Sequence, residues 1–102
     1  GFTVEARTVE GYTSFYLLAD HQVQGYVKTI RSSKNFAEVY IELKPPIRGQ
    51  GLAPKLLRHA MLQVHRQRQR LFYAVAADNA PSMATARRAG LRQAFSLCRF
   101  IS

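Results

Sequence analysis

Lys44 to Leu57 reads KPPIRGQGLAPKLL: two prolines, then Arg48-Gly49-Gln50-Gly51, then the start of an apolar run. Ordered glycine costs backbone entropy, so a pair of them marks a turn or a close approach to the main chain. Beyond Gly51, the positions Leu52, Leu56, Ala60 and Val64 recur with the helical period, and Ala53, Leu57 and Met61 widen the stripe. The spacing predicts a helix with Pro54 in its first turn, where a missing amide hydrogen is tolerated. Its last turn is expected to be rich in cations around Arg66, Arg68 and Arg70, matching the negative end of the dipole. The first-turn amides have no partner inside the helix. A glycine loop leading into them lets a bulky anion reach the backbone, so the junction suits phosphate, with Arg48 and Lys55 adding charge. The loop is not a P-loop, because no Lys-Ser/Thr pair follows the last glycine, and it lacks the three spaced glycines of a dinucleotide fingerprint. A plain strand-to-helix turn that binds nothing fits the same residues, and the local pattern leaves both readings open.

On the N-terminal side, FTVEARTVEG alternates as a strand solvated on one face. SFYLLADHQVQGYVKTIRSS reads as two strands joined tightly near Asp20, His21 and Gln22. FAEVYIEL is a further strand with Val39, Ile41 and Leu43 on one face, and Glu38, Tyr40 and Glu42 on the other. Downstream, LFYAVAA is a short buried strand. DNAPSMATARRAGL is a helix capped by Asp78 or Asn79, with Pro81 in its first turn and Gly90 as its stop. RQAFSLCRFIS is expected to close the chain as one terminal strand. The fold class is therefore mixed α/β: an antiparallel meander, then helix, strand, helix, strand.

Two of these segments, in this order, resemble the GNAT superfamily of acetyl-CoA-dependent N-acetyltransferases. Arg48-Gly49-Gln50-Gly51-Leu52-Ala53 is similar to that family's Arg/Gln-x-x-Gly-x-Gly/Ala signature. NAPSMATARRAGL is similar to its second signature, with Asn79, Ser82 and a closing Gly90-Leu91 in place of Gly-Phe. The resemblance runs from about Ser14 to Phe100 and implies a central, mostly antiparallel sheet with two main helices. It implies one acyl-CoA-binding domain over residues 1–102, with acetyl-CoA as co-substrate and no metal. By the same resemblance, the amides of Gly49, Gln50, Gly51, Leu52 and Ala53 would line the pyrophosphate site, Pro54 having none to give. The strand end at Ile41, Glu42 and Leu43 would hold the pantetheine arm by its backbone, Asn79 and Ser82 would face it, and the thioester would enter a splay between the strands. Glu38 is implied as the general base, with Glu42 the alternative on the same face. Two departures stand out. The tyrosine that many members carry seven residues after the asparagine is Ala86 here, leaving Tyr40 or Tyr73 as substitutes, though both also read as packing aromatics. The two helices that usually follow the family's first strand have no amphipathic counterpart between Gly1 and Lys34.

The expected reaction is acetyl transfer to an amine, on a protein or a small molecule; the alternative is a catalytically silent coenzyme A-binding module. A net charge of +9 on 102 residues suggests an anionic partner, of which the coenzyme's phosphates would be part, although a solvated basic surface is the commoner source of such an excess. HRQRQR reads as a solvated helix end, so nucleic acid is not an expected partner. His21, His59 and His65 lack metal-ligand spacing. The single cysteine, Cys98, reads as a small core residue and favours a reducing, cytoplasmic setting. No apolar run approaches the roughly 20 residues of a membrane span, and the terminal strand offers a pairing edge for a homodimer.

Overall fold

A computed structural model describes residues 1–10 and 12–102. The elements are β1 (Thr3–Val9), β2 (Tyr12–Ala19), β3 (Gln22–Arg31), β4 (Phe36–Leu43), a short 3-10 turn at Pro45–Ile47, α1 (Leu52–Arg66), β5 (Arg70–Ala74), α2 (Ala80–Arg88), β6 (Arg92–Ala94) and β7 (Ser96–Ile101). They form one seven-stranded sheet in the order β1-β2-β3-β4-β5-β7-β6. Among the described residues only the β4–β5 contact is parallel, and α1 makes that crossover.

The β2–β3 hairpin turns on Asp20 and His21, both at positive φ (51° and 64°), as a two-residue turn of matching twist requires. The stripe of α1 lies as the spacing predicts: Leu56, Leu57, Ala60 and Val64 are buried, while Leu52, Ala53 and Met61 pack at its edge. Against it lie Leu17, Val27, Val39 and Leu71, one alternating face of the central strands. α2 joins the same layer through Ala86, and the molecule is only 17 Å along its short axis, room for one sheet and one layer of helices. The α2 stop is a Schellman motif: Gly90 at φ 95°, with the Leu91 amide donating to Ala86 and the Gly90 amide to Arg87.

Several expectations are corrected. The closing segment is two strands, not one: Phe95 at φ 71° breaks it, and β6 folds back on β7. β1 is exposed on both faces, because it pairs at the sheet edge and α1 does not reach far enough to cover it. α1 ends at Arg66; Arg70 belongs to β5, where its Nε and Nη2 donate to the Ser102 carbonyl at 3.0 and 2.9 Å. Cys98 is half-buried rather than enclosed. No correction falls on the stretch before Lys34, whose elements are β1, β2 and β3, and among the described residues no helix is long and apolar enough to cross a membrane.

Candidate active site

β4 and β5 pair only at Phe36↔Arg70, Ala37↔Leu71 and Glu38↔Phe72, yet β4 runs on to Leu43. The sheet therefore splays beyond Glu38. The direction of the free backbone follows from the other side of β4. Lys44 donates its amide to Gln24 at 2.9 Å and Phe36 accepts from Ser32 at 3.1 Å, so the even-numbered residues bond to β3. By alternation the amides and carbonyls of Val39, Ile41 and Leu43 face the splay, whereas those of Glu42 face Tyr26. The Leu43 carbonyl already accepts from Arg48 Nε at 2.9 Å, which pins the loop to the strand end.

Below the splay, on the helix side, lies a cavity of about 440 Å³. Its rim at one end is the glycine loop. Gly49 and Gly51 sit at φ 79° and 75°, and a Cβ on either would meet no protein atom within 4 Å, so the space over the loop is open. Gly51 caps α1 without any side-chain hydrogen bond, and among the described residues the amides of Gly49, Gln50, Gly51, Leu52 and Ala53 meet no backbone acceptor. Pro54 follows, buried, with no amide to offer. Arg48 and Arg88 also line this cavity, and neither has a carboxylate partner among the described residues. Unpartnered amides at the positive end of a helix, flanked by two guanidinium groups, suit a polyanion.

Across the cavity, α2 starts with Asn79, whose Oδ1 accepts from the Ser82 amide at 3.1 Å. The cap thus occupies the acceptor atom and leaves the Asn79 amide group as the donor towards the cavity. Ser82, Thr85 and Arg88, three residues apart, line the same wall.

Above the splay, on the bare sheet face, is a second cavity of about 340 Å³ bounded by Tyr26, Tyr40 and Glu42. Ile41, Glu42, Tyr73, Asn79 and Ser82 line both cavities, so they frame a passage through the sheet. Glu42 accepts a hydrogen bond from the Tyr26 hydroxyl at 3.2 Å. Desolvation first, and then that hydrogen bond and the carboxylate's charge, hold the Tyr26 phenol above its ordinary value. Glu38 lines neither cavity; it sits beside Phe72 where the strands still pair.

The structure thus brings Ile41, Glu42, Leu43, Arg48, Gly49, Gly51, Leu52, Ala53, Asn79 and Ser82 to one cavity and leaves Gln50 and Glu38 outside its lining. Tyr26 and Arg88 join the candidate residues unannounced. Their signals were the cross-strand register of Tyr26 with Glu42 and the helical spacing that sets Arg88 three residues beyond Thr85 and six beyond Ser82. His59 stacks on Phe15 and His65 bonds Ser102, and no metal-ligand cluster occurs among the described residues.

The sequence profile of the Acetyltransferase (GNAT) family matches residues 5–91. The chain belongs to that family. The fold agrees. An aminoglycoside acetyltransferase AAC(6')-Ib solved with coenzyme A superposes with a TM-score of 0.74 at 13% identity, covering 91% of this chain and 66% of that one. A GNAT family acetyltransferase from Elizabethkingia anophelis, solved with acetyl-CoA bound, gives 0.79 at 11% identity, with coverages of 91% and 77%. The ribosomal-protein-S18-alanine N-acetyltransferase from Escherichia coli gives 0.70 at 26% identity, with coverages of 85% and 57%. This GNAT chain therefore spans about two thirds of the aminoglycoside enzyme and less of the S18-alanine enzyme. A comparison with curated proteins finds none that matches.

Proposed function

We propose that residues 1–102 act as one acyl-CoA-binding domain that moves the acetyl group of acetyl-CoA onto an amine of a protein or a small molecule. The observation that carries this reading is the passage between β4 and β5, with unpartnered amides and arginines on one side and a hydrogen-bonded carboxylate on the other. In this reading the amides of Gly49 to Ala53, with Arg48 and Arg88, hold the pyrophosphate of the coenzyme. Ile41 and Leu43 face the pantetheine arm through their backbones, and Asn79 and Ser82 meet it from the opposite wall. The arm then delivers the thioester into the passage from below.

The amine arrives from the bare face, as an ammonium with a pKa of about 10.4 if it is lysine-like. It must lose a proton before it attacks, and Glu42 takes the role of base because it lines the passage. Glu38, one pleat back on the same face, is the second choice. Tyr26 fixes the Glu42 carboxylate, and Tyr40 adds an aromatic wall that favours a cation. The names of two fold relatives, one acting on aminoglycosides and one on an alanine of a ribosomal protein, support an amine acceptor of either size.

Calorimetry with coenzyme A, followed by thiol release from acetyl-CoA with a panel of primary amines and peptides, tests the proposal. Failure to bind coenzyme A would overturn it, whereas binding with no thiol release for any amine would mark a silent module.

A further inference from the structure

The far end of α1 closes on a polar corner. Arg68 takes φ 59°, its amide donates to the His65 carbonyl at 3.0 Å, and the Gln69 amide donates to the Val64 carbonyl at 2.9 Å, a Schellman pattern that ends the helix. The chain turns away there, and a cavity of about 320 Å³ occupies the corner beyond the helix end. Among the described residues it shares no lining residue with the two cavities of the passage. The glycine loop and this corner lie at opposite ends of a 15-residue helix, a separation of about 22 Å.

Thr29 and Ala37 are the buried residues of its lining, and Thr29 is one of only two buried polar residues in the described core. Its hydroxyl makes no hydrogen bond among the described residues, and no side-chain oxygen or nitrogen there is sealed without a partner. The hydroxyl therefore opens onto the cavity. Arg31, two residues along β3 and on the same face, and Lys34, in the turn to β4, bring positive charge. Gln69 pins that turn: its Nε2 donates to the Ser33 and Lys34 carbonyls at 3.2 and 3.4 Å, leaving Oε1 to accept. Arg31 donates to the Ser33 carbonyl through Nε at 3.3 Å, which leaves its Nη groups for the cavity. One carboxylate faces these cations. Glu10 is held at φ 53°, a conformation that few side chains adopt, and it forms no ion pair with either cation. Gln67, the C-cap of α1, also lines the cavity, so the negative end of the helix dipole adjoins it.

Charges of both signs that share a cavity without pairing suit a ligand that carries both. A simple anion would meet Glu10 and the negative helix end, and a simple cation would meet Arg31 and Lys34. We infer that this corner is a binding site for a free α-amino acid. Its carboxylate is held by Arg31 and Lys34, its ammonium by Glu10 and the end of α1, and its side chain lies against Thr29 and Gln69. This site stands apart from the acetyl-CoA reading and would remain if that reading failed.

Calorimetric titration of the chain with each common L-amino acid, up to about 10 mM, tests the assignment. At least one should bind saturably. Its amide, which lacks the carboxylate, and its deamino acid, which lacks the ammonium, should each bind about 10-fold more weakly or worse. Glu10→Gln and Arg31→Gln should each weaken binding by about 10- to 100-fold, the loss of one charged hydrogen bond. Thr29→Val should weaken it by about 2- to 10-fold with no loss of stability in urea, since the hydroxyl has no protein partner to lose. Arg92→Gln, which removes the same charge from exposed β6, should change nothing. Coenzyme A titrations of all four variants should match wild type. Absence of binding by every amino acid, or equally tight binding of the amide or the deamino acid, would overturn the inference. So would an unchanged affinity in either Glu10→Gln or Arg31→Gln.

Discussion

Substituting Gly51 separates two effects that usually arrive together. Its φ of 75° lies in the left-handed region, and a Cβ built on it meets no protein atom within 4 Å. Gly51→Ala therefore creates no clash and costs only the backbone penalty, about 1–2 kcal/mol. The methyl group would stand over amides with no backbone acceptor, at the mouth of the cavity. Loss of one hydrogen bond to a charged phosphate is worth about 1.5–3 kcal/mol, or about 10- to 100-fold in affinity. Gly90 provides the control. It too has positive φ (95°) and open space around a Cβ, but it ends α2 and does not line the cavity. Urea unfolding should show similar losses of stability for Gly51→Ala and Gly90→Ala. Calorimetry with coenzyme A should show weakened binding for Gly51→Ala alone. Equal affinities in the two variants would refute the claim that the loop amides hold the phosphates.

Glu42→Gln should lower kcat by about 100-fold or more with coenzyme affinity unchanged, while Glu38→Gln should do so only weakly; steady-state kinetics on the pair decides which carboxylate is the base. Leu57→Ala should cost about 2–5 kcal/mol of stability in urea unfolding, since Leu57 is fully enclosed between α1 and the sheet. The raised phenol of Tyr73 makes the folded state hold its proton more tightly than the unfolded chain does. Its contribution to stability is therefore complete below about pH 10 and lost as pH rises through the folded value, so wild type should lose stability above pH 10 more steeply than Tyr73→Phe.

The parts of the site that sequence made legible are those fixed by local chemistry. Gly49 and Gly51 announced their backbone through residue type, Asn79 and Pro81 announced a helix start, and the α1 stripe announced its buried face. What it left undecided depends on register. Glu38 and Glu42 share a face and look equivalent along the strand, but only the end of β4–β5 pairing at Glu38↔Phe72 places Glu42 at an opening and Glu38 beside a neighbour. Tyr73 reads as a core aromatic because its strand is apolar, and only the end of the β4–β5 pairing at Phe72 puts it on the passage. The β6–β7 break was hidden because Phe95 is an apolar residue in an apolar run; its positive φ and 80% exposure have no composition signal such as glycine would give.

The passage itself has a physical origin in where each strand finds its next partner. β4 is held to its far end by β3, through the ladder from Ala37 to Leu43 and the Lys44 amide on Gln24. β5 is held on its other side by β7: Phe72, Tyr73 and Ala74 pair with Ile101, Phe100 and Arg99, and the Val75 amide continues to the Cys98 carbonyl at 2.9 Å. Each strand keeps the partner that continues alongside it, so twist carries β4 and β5 apart once their short parallel ladder ends. The prolines at 45 and 46 and the α2 start at Asn79 then turn both chains away. The main-chain groups of Ile41 and the Leu43 amide are left facing no strand, open to another partner, while Arg48 takes the Leu43 carbonyl. In the proposed reading an extended amide-bearing chain such as pantetheine would add its hydrogen bonds where the missing strand's would have been.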